Sequence, residues 1–600
     1  MKFKYTSLYA AILTASLGMV GCSSSSSPTA ADSSVTGRIT GFGSVFVDGV
    51  EYETGTATVT KDGVPVSGDA DLKVGMIITL KGSASGNTGE AATIEFNDDL
   101  EGLVQVNGLA SGGSLIVMGQ NVSVDANTNF ESNDPAITTV EDIPANAVVE
   151  VSGYPDGTGN ILATYIELKA SDVADYGDEM ETKGVIADID TTAQTFMLGN
   201  IAVDYSSVSL DFVPANDMFV EVKFNADLTV SKIELEGDGK YGVKGEVGED
   251  LDIEGMITNI TATTFELNGQ TIQIPDGVDI TQYAAGDLVN IEVSVDANGD
   301  LVAKKVEEDE ANDDGSHFEI EAQVDAVNAA EGTITIDGKT ISIDSFNTIM
   351  DDNTDAEKYF NIADIVEGDW LDMKVAENAD GTFSAVKVER INASDAREKV
   401  ELSIRIENGV LTTGDQAIDT ALGGLSPDAV LQATSLINSF ANQGEDFEVK
   451  AMLDANGDLQ SLMVEVEAAI AVDSAGTVTI NGVEVTLEML PAGVSLDDIA
   501  ARDGQQVEVK MDLLTGTISA MKSELSGLVA IDATTGEVTV NGTAVTLPAG
   551  LTLEDGQNVK LELDAAGNVI SMDIEHQSEM DGADSEQDPG STTPEAGTGV

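Results

Sequence analysis

The stretch "GEVTVNGTAVTL", Gly536–Leu547, decides the fold. Val538 and Val540 alternate with polar residues before Asn541-Gly542, and Val545 and Leu547 do so after it. Period-two alternation buries one face of a strand. Asn-Gly supplies the two positive-φ positions that a two-residue hairpin turn requires. The same pattern recurs as "GTVTINGVEVTL" with Asn481-Gly482, "GTITIDGKTISI" with Asp337-Gly338, "TTFELNGQTIQI" with Asn268-Gly269 and "GSVFVDGVEYET" with Asp48-Gly49. Weaker versions stand at Met118-Gly119 and Leu198-Gly199. A recurring hairpin identifies a repeat protein, so the repeat is delimited before anything else.

A second marker is a strand led by glycine, as at Gly286, Gly368, Gly444, Gly504 and Gly556, with a relative at Gly75. Apolar residues follow three, five and seven places on, as Val559, Leu561 and Leu563 do. After three of these strands comes "DANG" or its relative "DAAG", at Asp296, Asp454 and Asp564. An acid or amide four places on, an amide two places on after Asp296 and Asp454, and Glu307, Glu465 and Glu575 eleven places on reproduce part of the spacing of a calcium loop. Such a loop needs glycine at its sixth position, where this chain has Leu301, Leu459 and Val569, each opening a strand. Asp at the first and Gly at the fourth position instead specify a type I turn closed by a left-handed glycine. These are read as hairpin turns, with no metal or other cofactor assigned.

Each unit therefore has a hairpin, a variable connection, a Gly-led strand, a tight turn and a last strand. That is roughly five strands in fifty to seventy residues. The expected fold is all-β, a tandem array of about eight small OB-like barrels. A split sandwich is the alternative for each unit. The units are placed at 35–99, 100–170, 180–236, 251–308, 318–392, 398–467, 468–525 and 526–576. The sixth is read as divergent, without the hairpin marker, and carries a helical insertion near Pro427–Phe440, with Ser426 as N-cap and Pro427 opening the helix. A short helix is also expected in "SLDDIAAR" from Ser495. Units this small bury little surface alone, so neighbours are expected to pack in an elongated array. Linkers such as Glu307–Ser316 separate them, and "GFG", Gly41–Gly43, is read as a bulge.

Acids outnumber bases 107 to 27 in 600 residues. A surface so negative repels phosphate backbones, which removes nucleic acid from the expected partners. Lys2 and Lys4 precede the apolar run Leu8–Val20, which has the length of a signal peptide and is too short for an ordinary spanning helix. The run ends in "MVGC", which resembles the lipobox of bacterial lipoproteins. The resemblance implies removal of 1–21 and lipidation of Cys22, the chain's one cysteine, so that the membrane is a partner through that anchor. Ser23 after the cysteine implies the outer membrane by resemblance to sorted lipoproteins, on its periplasmic side or at the cell surface. Residues 22–34 then form a Ser-rich tether, and 577–600, acidic and without Lys or Arg, a disordered tail.

"GRITGFGSVFVDGVEYET" from Gly37, "DLKVGMIITLKG" from Asp71 and "ATIEFNDDLEGLV" from Ala92 together resemble the bacterial domain-of-unknown-function family 5666. The resemblance spans Val35 to Leu168 and weakens in later units, which lack "GFGS". It implies an exported repeat protein and supplies no catalytic residues.

The catalytic inventory is thin. The histidines are His317, placed in an acidic linker, and His576, at the edge of the tail. No HExxH, P-loop or second cysteine is present, and among 107 acids chance carboxylate pairs carry no information. No catalytic or metal residue is assigned. Trp370 is the one candidate ligand-binding residue. It faces away from Leu371, Met373 and Val375, as a side chain that stacks on a sugar would; contact with a neighbouring unit is the alternative. The expectation is a non-enzymatic, lipid-anchored envelope protein acting as spacer, scaffold or adhesion element. A module that binds a glycan or another envelope polymer, stiffened by bound cations, is the alternative, and an envelope polymer or protein is the partner expected beside the membrane.

Overall fold

The computed structural model describes residues 31–575 except 98–99, 157–158, 237–241, 244, 276, 309–316, 337, 355–358, 378–381, 394–397, 408–409, 413–446, 454–458, 492, 533–534, 549–550 and 552. Cys22, the helix expected at Pro427–Phe440, the turn at Asp454 and the tail 577–600 lie outside the described residues.

The described residues are nearly all strand and turn, and the turns are where the sequence places them except in the third unit, where Leu198 pairs with Ile201 and the turn is Gly199-Asn200 instead of Leu198-Gly199. Val538–Val540 and Thr543–Val545 form the hairpin, with Val540 opposite Thr543. Asn541 and Gly542 have φ of 47° and 82°. Asp48-Gly49, Met118-Gly119, Asn268-Gly269 and Asn481-Gly482 repeat these positive values. The "GFG" segment is a bulge, with a register shift between Ile39 and Gly41.

In the second unit the strands close on themselves. Leu100–Asn107 pairs with Leu115–Val117 and with Val148–Pro155. Leu115–Val117 pairs with Gln120–Ser123, which runs parallel to Asn160–Ala170, and the latter returns to Val148–Pro155. This is a small closed barrel. The first, fourth and fifth units complete the same circuit, each closing through a parallel pairing of the third strand with the last. In the eighth, one parallel bridge, Thr546 to Asn568, takes that place. In the first, second and fifth units the variable connection adds a further strand parallel to the last.

Closure is not universal. In the third unit Ile201–Asp204 pairs only with Thr195–Leu198, and in the seventh Val483–Glu484 pairs only with Val478–Ile480, among the described residues. The third unit's turn is held elsewhere: Leu198 accepts from Gln120 of the second unit at 2.8 Å, and Asn200 bonds to the last strand of the chain. The sixth unit does have the hairpin, since Glu398–Glu407 pairs with Val410–Thr412 and Glu407 stands opposite Val410, on either side of Asn408-Gly409. The helix Leu496–Ala500 forms with Ser495 as N-cap and Asp498 completing a capping box.

Boundaries also differ from expectation. Leu459–Val472 and Thr517–Ile531 run unbroken through the expected joints at 467 and 525, so the last three units share strands. The first strand begins at Ala31, within the segment read as tether, and His317 opens a strand opposite Ala376 instead of lying in a linker.

The units do not form a simple nearest-neighbour array. In the first six units the leading half of the first strand has a barrel neighbour on one side only. These open edges cap one another. Val35 and Thr36 of the first unit pair with Asp252 and Ile253 of the fourth; Leu100 and Glu101 of the second pair with Thr182 and Glu181 of the third; Ile320 and Glu321 of the fifth pair with Val400 and Lys399 of the sixth. Apolar side chains of the second and third units merge into one core that includes Leu100, Val151, Phe196 and Phe224.

Candidate functional site at the junctions between units

The two recurring Asp turns among the described residues, at Asp296 and Asp564, are satisfied by their own backbone. Asp296 Oδ1 accepts from the amides of Asn298 at 2.7 Å and Asp300 at 3.0 Å, while Asn298 Nδ2 donates to Oδ2 at 3.1 Å. Asp564 repeats this with Ala566, Asn568 and the Asn568 side chain. Gly299 and Gly567 both have φ of 88°. The amides of Asp300 and Asn298 hold the exposed Asp296 carboxyl below the ordinary carboxylate range. Among the described residues, no group of three or more His, Cys, Asp or Glu is arranged to hold a metal ion.

Trp370 opens the strand Trp370–Glu377, half-buried, between Gln323 and Ile391 on the neighbouring strands. Leu371, Met373 and Val375 are buried on the opposite face, as the alternation requires.

The polar chemistry is concentrated where units meet, in residues that sequence reasoning passed over. Arg38 of the first unit is buried against Glu254 of the fourth: its backbone amide donates to Oε2 at 2.7 Å and its guanidinium lies 3.0 Å from Oε1. The Tyr154 hydroxyl of the second unit donates to the same carboxylate. A Cβ at Gly37 would stand 2.9 Å from Glu254 Oε2, so glycine makes the room. Asn121 of the second unit accepts from Met572 N at 3.1 Å in the last strand and donates to Met572 O; Asn200 of the third donates to that oxygen at 3.1 Å and accepts from Ile574 N at 2.8 Å.

Between the first and second units Glu150 is fully buried and receives Lys61 and Lys169, each at 2.9 Å. Burial works to raise its pKa, and the two lysines outweigh burial and hold it below the ordinary value. Between the second and fifth units, Asn129 Nδ2 donates to Asp351 at 3.2 Å and Lys387 to Thr128 O at 3.1 Å. Burial, reinforced by Glu389 and opposed by Lys387, pushes the Asp351 carboxyl up to about 7.

Two clefts lie at such junctions. One, of about 330 Å³, is lined by Asn200, Ile201, Asp204, Phe224, Val230 and Leu551 and sits between the two edges of the third unit that do not pair. The other, of about 840 Å³, is lined by Ser34, Lys81, Glu90, Glu249 and Asp250 between the first and fourth units. Trp370 lines neither.

One sequence signal was available and unused. Gly102, Gly255 and Gly527 each lie in a first strand directly beneath the first turn residue, where a Cβ would stand 2.1 Å from Met118 Cγ, 2.3 Å from Asn268 Nδ2 and 2.9 Å from Asn541 Cβ, and Gly184 lies beneath Leu198, the residue before its turn, where a Cβ would stand 3.0 Å from Leu198 Cγ. "LEGLV", "TKGVI", "IEGMI" and "LSGLV" mark those positions.

The geometry defines a class: a β-rich repeat protein of small barrels locked together by buried polar contacts. The family model described as "Domain of unknown function (DUF5666)" matches residues 101–167, 254–307 and 321–389. Each matched segment falls in a unit whose circuit closes, and together they place three DUF5666 segments in the chain. The resemblance read at Gly37–Thr54 lies outside the matched residues. A search of the curated proteins found no match. A solved chain titled "drosophila Unr CSD456" is similar at 14% identity over 35% of this chain and 97% of that one, with a TM-score of 0.10, too low to bear on fold or function.

Proposed function

We propose that this is a non-enzymatic envelope protein, anchored through a lipid on Cys22 in the outer membrane, whose interlocked barrels act as a stiff spacer or scaffold. The observation that carries this reading is how junction side chains are used. Arg38, Glu254, Glu150, Asn121 and Asn200 are turned toward other units of the same chain. Contacts made this way between residues hundreds of positions apart resist relative motion of the units, as a load-transmitting body requires. The positive start, apolar run and "MVGC" support the anchor. Labelled fatty acid fed to expressing cells should enter the wild-type chain and not Cys22→Ala; equal labelling refutes the anchor. Turnover of any substrate by the purified chain starting at Ser23 refutes the non-enzymatic reading. The acid excess supports the absence of nucleic acid among its partners, and a retarded DNA or RNA band at physiological salt would overturn that.

A second reading, binding of a glycan or another envelope polymer, is favoured by the half-buried outward Trp370. Trp370→Ala should then weaken retention on an immobilised envelope glycan at unchanged melting temperature. Unchanged retention removes Trp370 from that role.

A further inference from the structure

The sheet that joins the second and third units carries four glutamates in one cross-strand row. Glu167 stands opposite Glu150, Glu150 opposite Glu101, and Glu101 opposite Glu181, each as a direct pair. Side chains in direct register project from the same face, a few ångströms apart, and like charges so placed repel. The step from Glu101 to Glu181 is the step from one unit to the next, and among the described residues only that pair and Leu100 with Thr182 join the two first strands.

Cations balance the row unevenly. Glu150 has Lys61 and Lys169, Glu167 has Lys169 at 3.1 Å, and Glu181 has Lys223, with Lys183 at 3.8 Å. Glu101, in the middle, has no lysine or arginine within ion-pair distance among the described residues; the neutral Tyr176 hydroxyl bonds to it. The groups facing it are Glu150 on its neighbour strand, Glu167 and Lys169 beyond that, Glu181 and Lys183 across the seam, Glu221 and Lys223 on the next strand, Lys61 and Asp62 from the first unit's variable connection, and Tyr176.

We propose that the seam between the second and third units is a proton-operated latch: one proton held on Glu101 lets the glutamate row close, and its loss loosens the pairing of Leu100–Asn107 with Met180–Asp190. Burial, with Glu150 and Glu181 adding to it against Lys169 and Lys61, pushes Glu101 up to about 7 from an ordinary 4.5. A carboxyl raised on closing favours the closed seam at low pH. That advantage is complete below the ordinary value, falls as pH rises toward about 7, and changes no further once Glu101 is ionised in both forms.

The test is hydrogen exchange with mass spectrometry on the full chain, corrected for intrinsic exchange, following amides of Leu100–Asn107 and Met180–Asp190. In wild type the opening constant should rise by up to about tenfold per pH unit between about pH 5 and 7 and then level off. Glu101→Gln, which keeps shape without ionising, should abolish the slope and be better protected than wild type at about pH 8. An unchanged slope in Glu101→Gln overturns the proposal. Should Glu101→Gln not fold, Glu181→Gln decides: by removing one repelling neighbour it should move the window to lower pH. A window that stays in place overturns the latch equally.

Discussion

Glu254→Gln tests whether buried charge fixes the arrangement of the units. The substitution keeps the size of the side chain and removes the charge. Arg38 is then left buried without the carboxylate 3.0 Å from its guanidinium, and a carboxamide presents a donor where one oxygen had accepted. Breaking one side of a buried ion pair typically costs about 3–5 kcal/mol. At about 1.4 kcal/mol per tenfold, that is an increase in junction opening on the order of a hundred- to a few-thousand-fold. A repeat protein of this size is not two-state, so a single global unfolding energy is the wrong observable. The assay is hydrogen exchange at the Val35–Thr36 and Asp252–Ile253 pairing, compared with the distant Val569–Glu575 strand as reference. Exchange should rise at the junction and stay level at the reference. Arg38→Met with Glu254→Met, which removes both charges, should recover much of the protection, since desolvation offsets most of what a buried pair contributes. A change under about threefold in Glu254→Gln, or a double variant no better than the single, refutes the reasoning.

Asn121→Ala leaves Met572 N without its buried acceptor, while Met572 O keeps Asn200; at about 1–3 kcal/mol for the orphaned amide, the strand Val569–Glu575 should be nicked faster in limited proteolysis. In the fourth unit, Asn268 Oδ1 accepts from Met256 N at 2.7 Å in the space Gly255 leaves. Gly255→Ala and Asn268→Ala should each cost about 1–3 kcal/mol and together little more, because both break the same contact; full additivity by local exchange in that unit contradicts this. Because Asp296 is engaged by its own turn amides, Asp296→Ala should lower the melting temperature of the fourth unit with or without calcium. A calcium-selective rise in wild type that Asp296→Ala abolishes would reopen the calcium-loop reading.

What was legible in the sequence was whatever a short window determines. Asn541-Gly542 fixes its turn because few other pairs tolerate positive φ twice, and Val559, Leu561 and Leu563 fix a buried face because the strand period is two. The joint at 467 was not legible, since Leu459–Val472 alternates straight through it and nothing local says that a strand changes barrels midway. The failure of the third unit to close was equally hidden. Ile201–Asp204 reads like its counterparts, and the difference lies in Gln120 and Asn200, which bond to another unit's backbone. Trp370 was placed on the right face by alternation, yet alternation says nothing about what that face meets.

The same reasoning explains why the junctions were invisible. A barrel has an inner face that must be apolar and an outer face that a sequence writes in polar residues, whether it meets water or another barrel. Glu254, Arg38 and Glu150 occupy outer positions and look like solvent-facing charges in a chain rich in acids. Packing barrels through such faces gives each contact a required partner, because a buried carboxylate tolerates a guanidinium or an amide and little else. Hydrophobic faces would bind more strongly and discriminate less, and barrels built from one repeat would then have many equivalent ways to stack. The pairing of Arg38 with Glu254 across 216 residues, and of Asn121 with Met572 across 451, selects one arrangement among them. In that sense the charge excess is structural as well as superficial: the outer-face acids that keep the surface negative also encode, at a few buried positions, which unit sits against which.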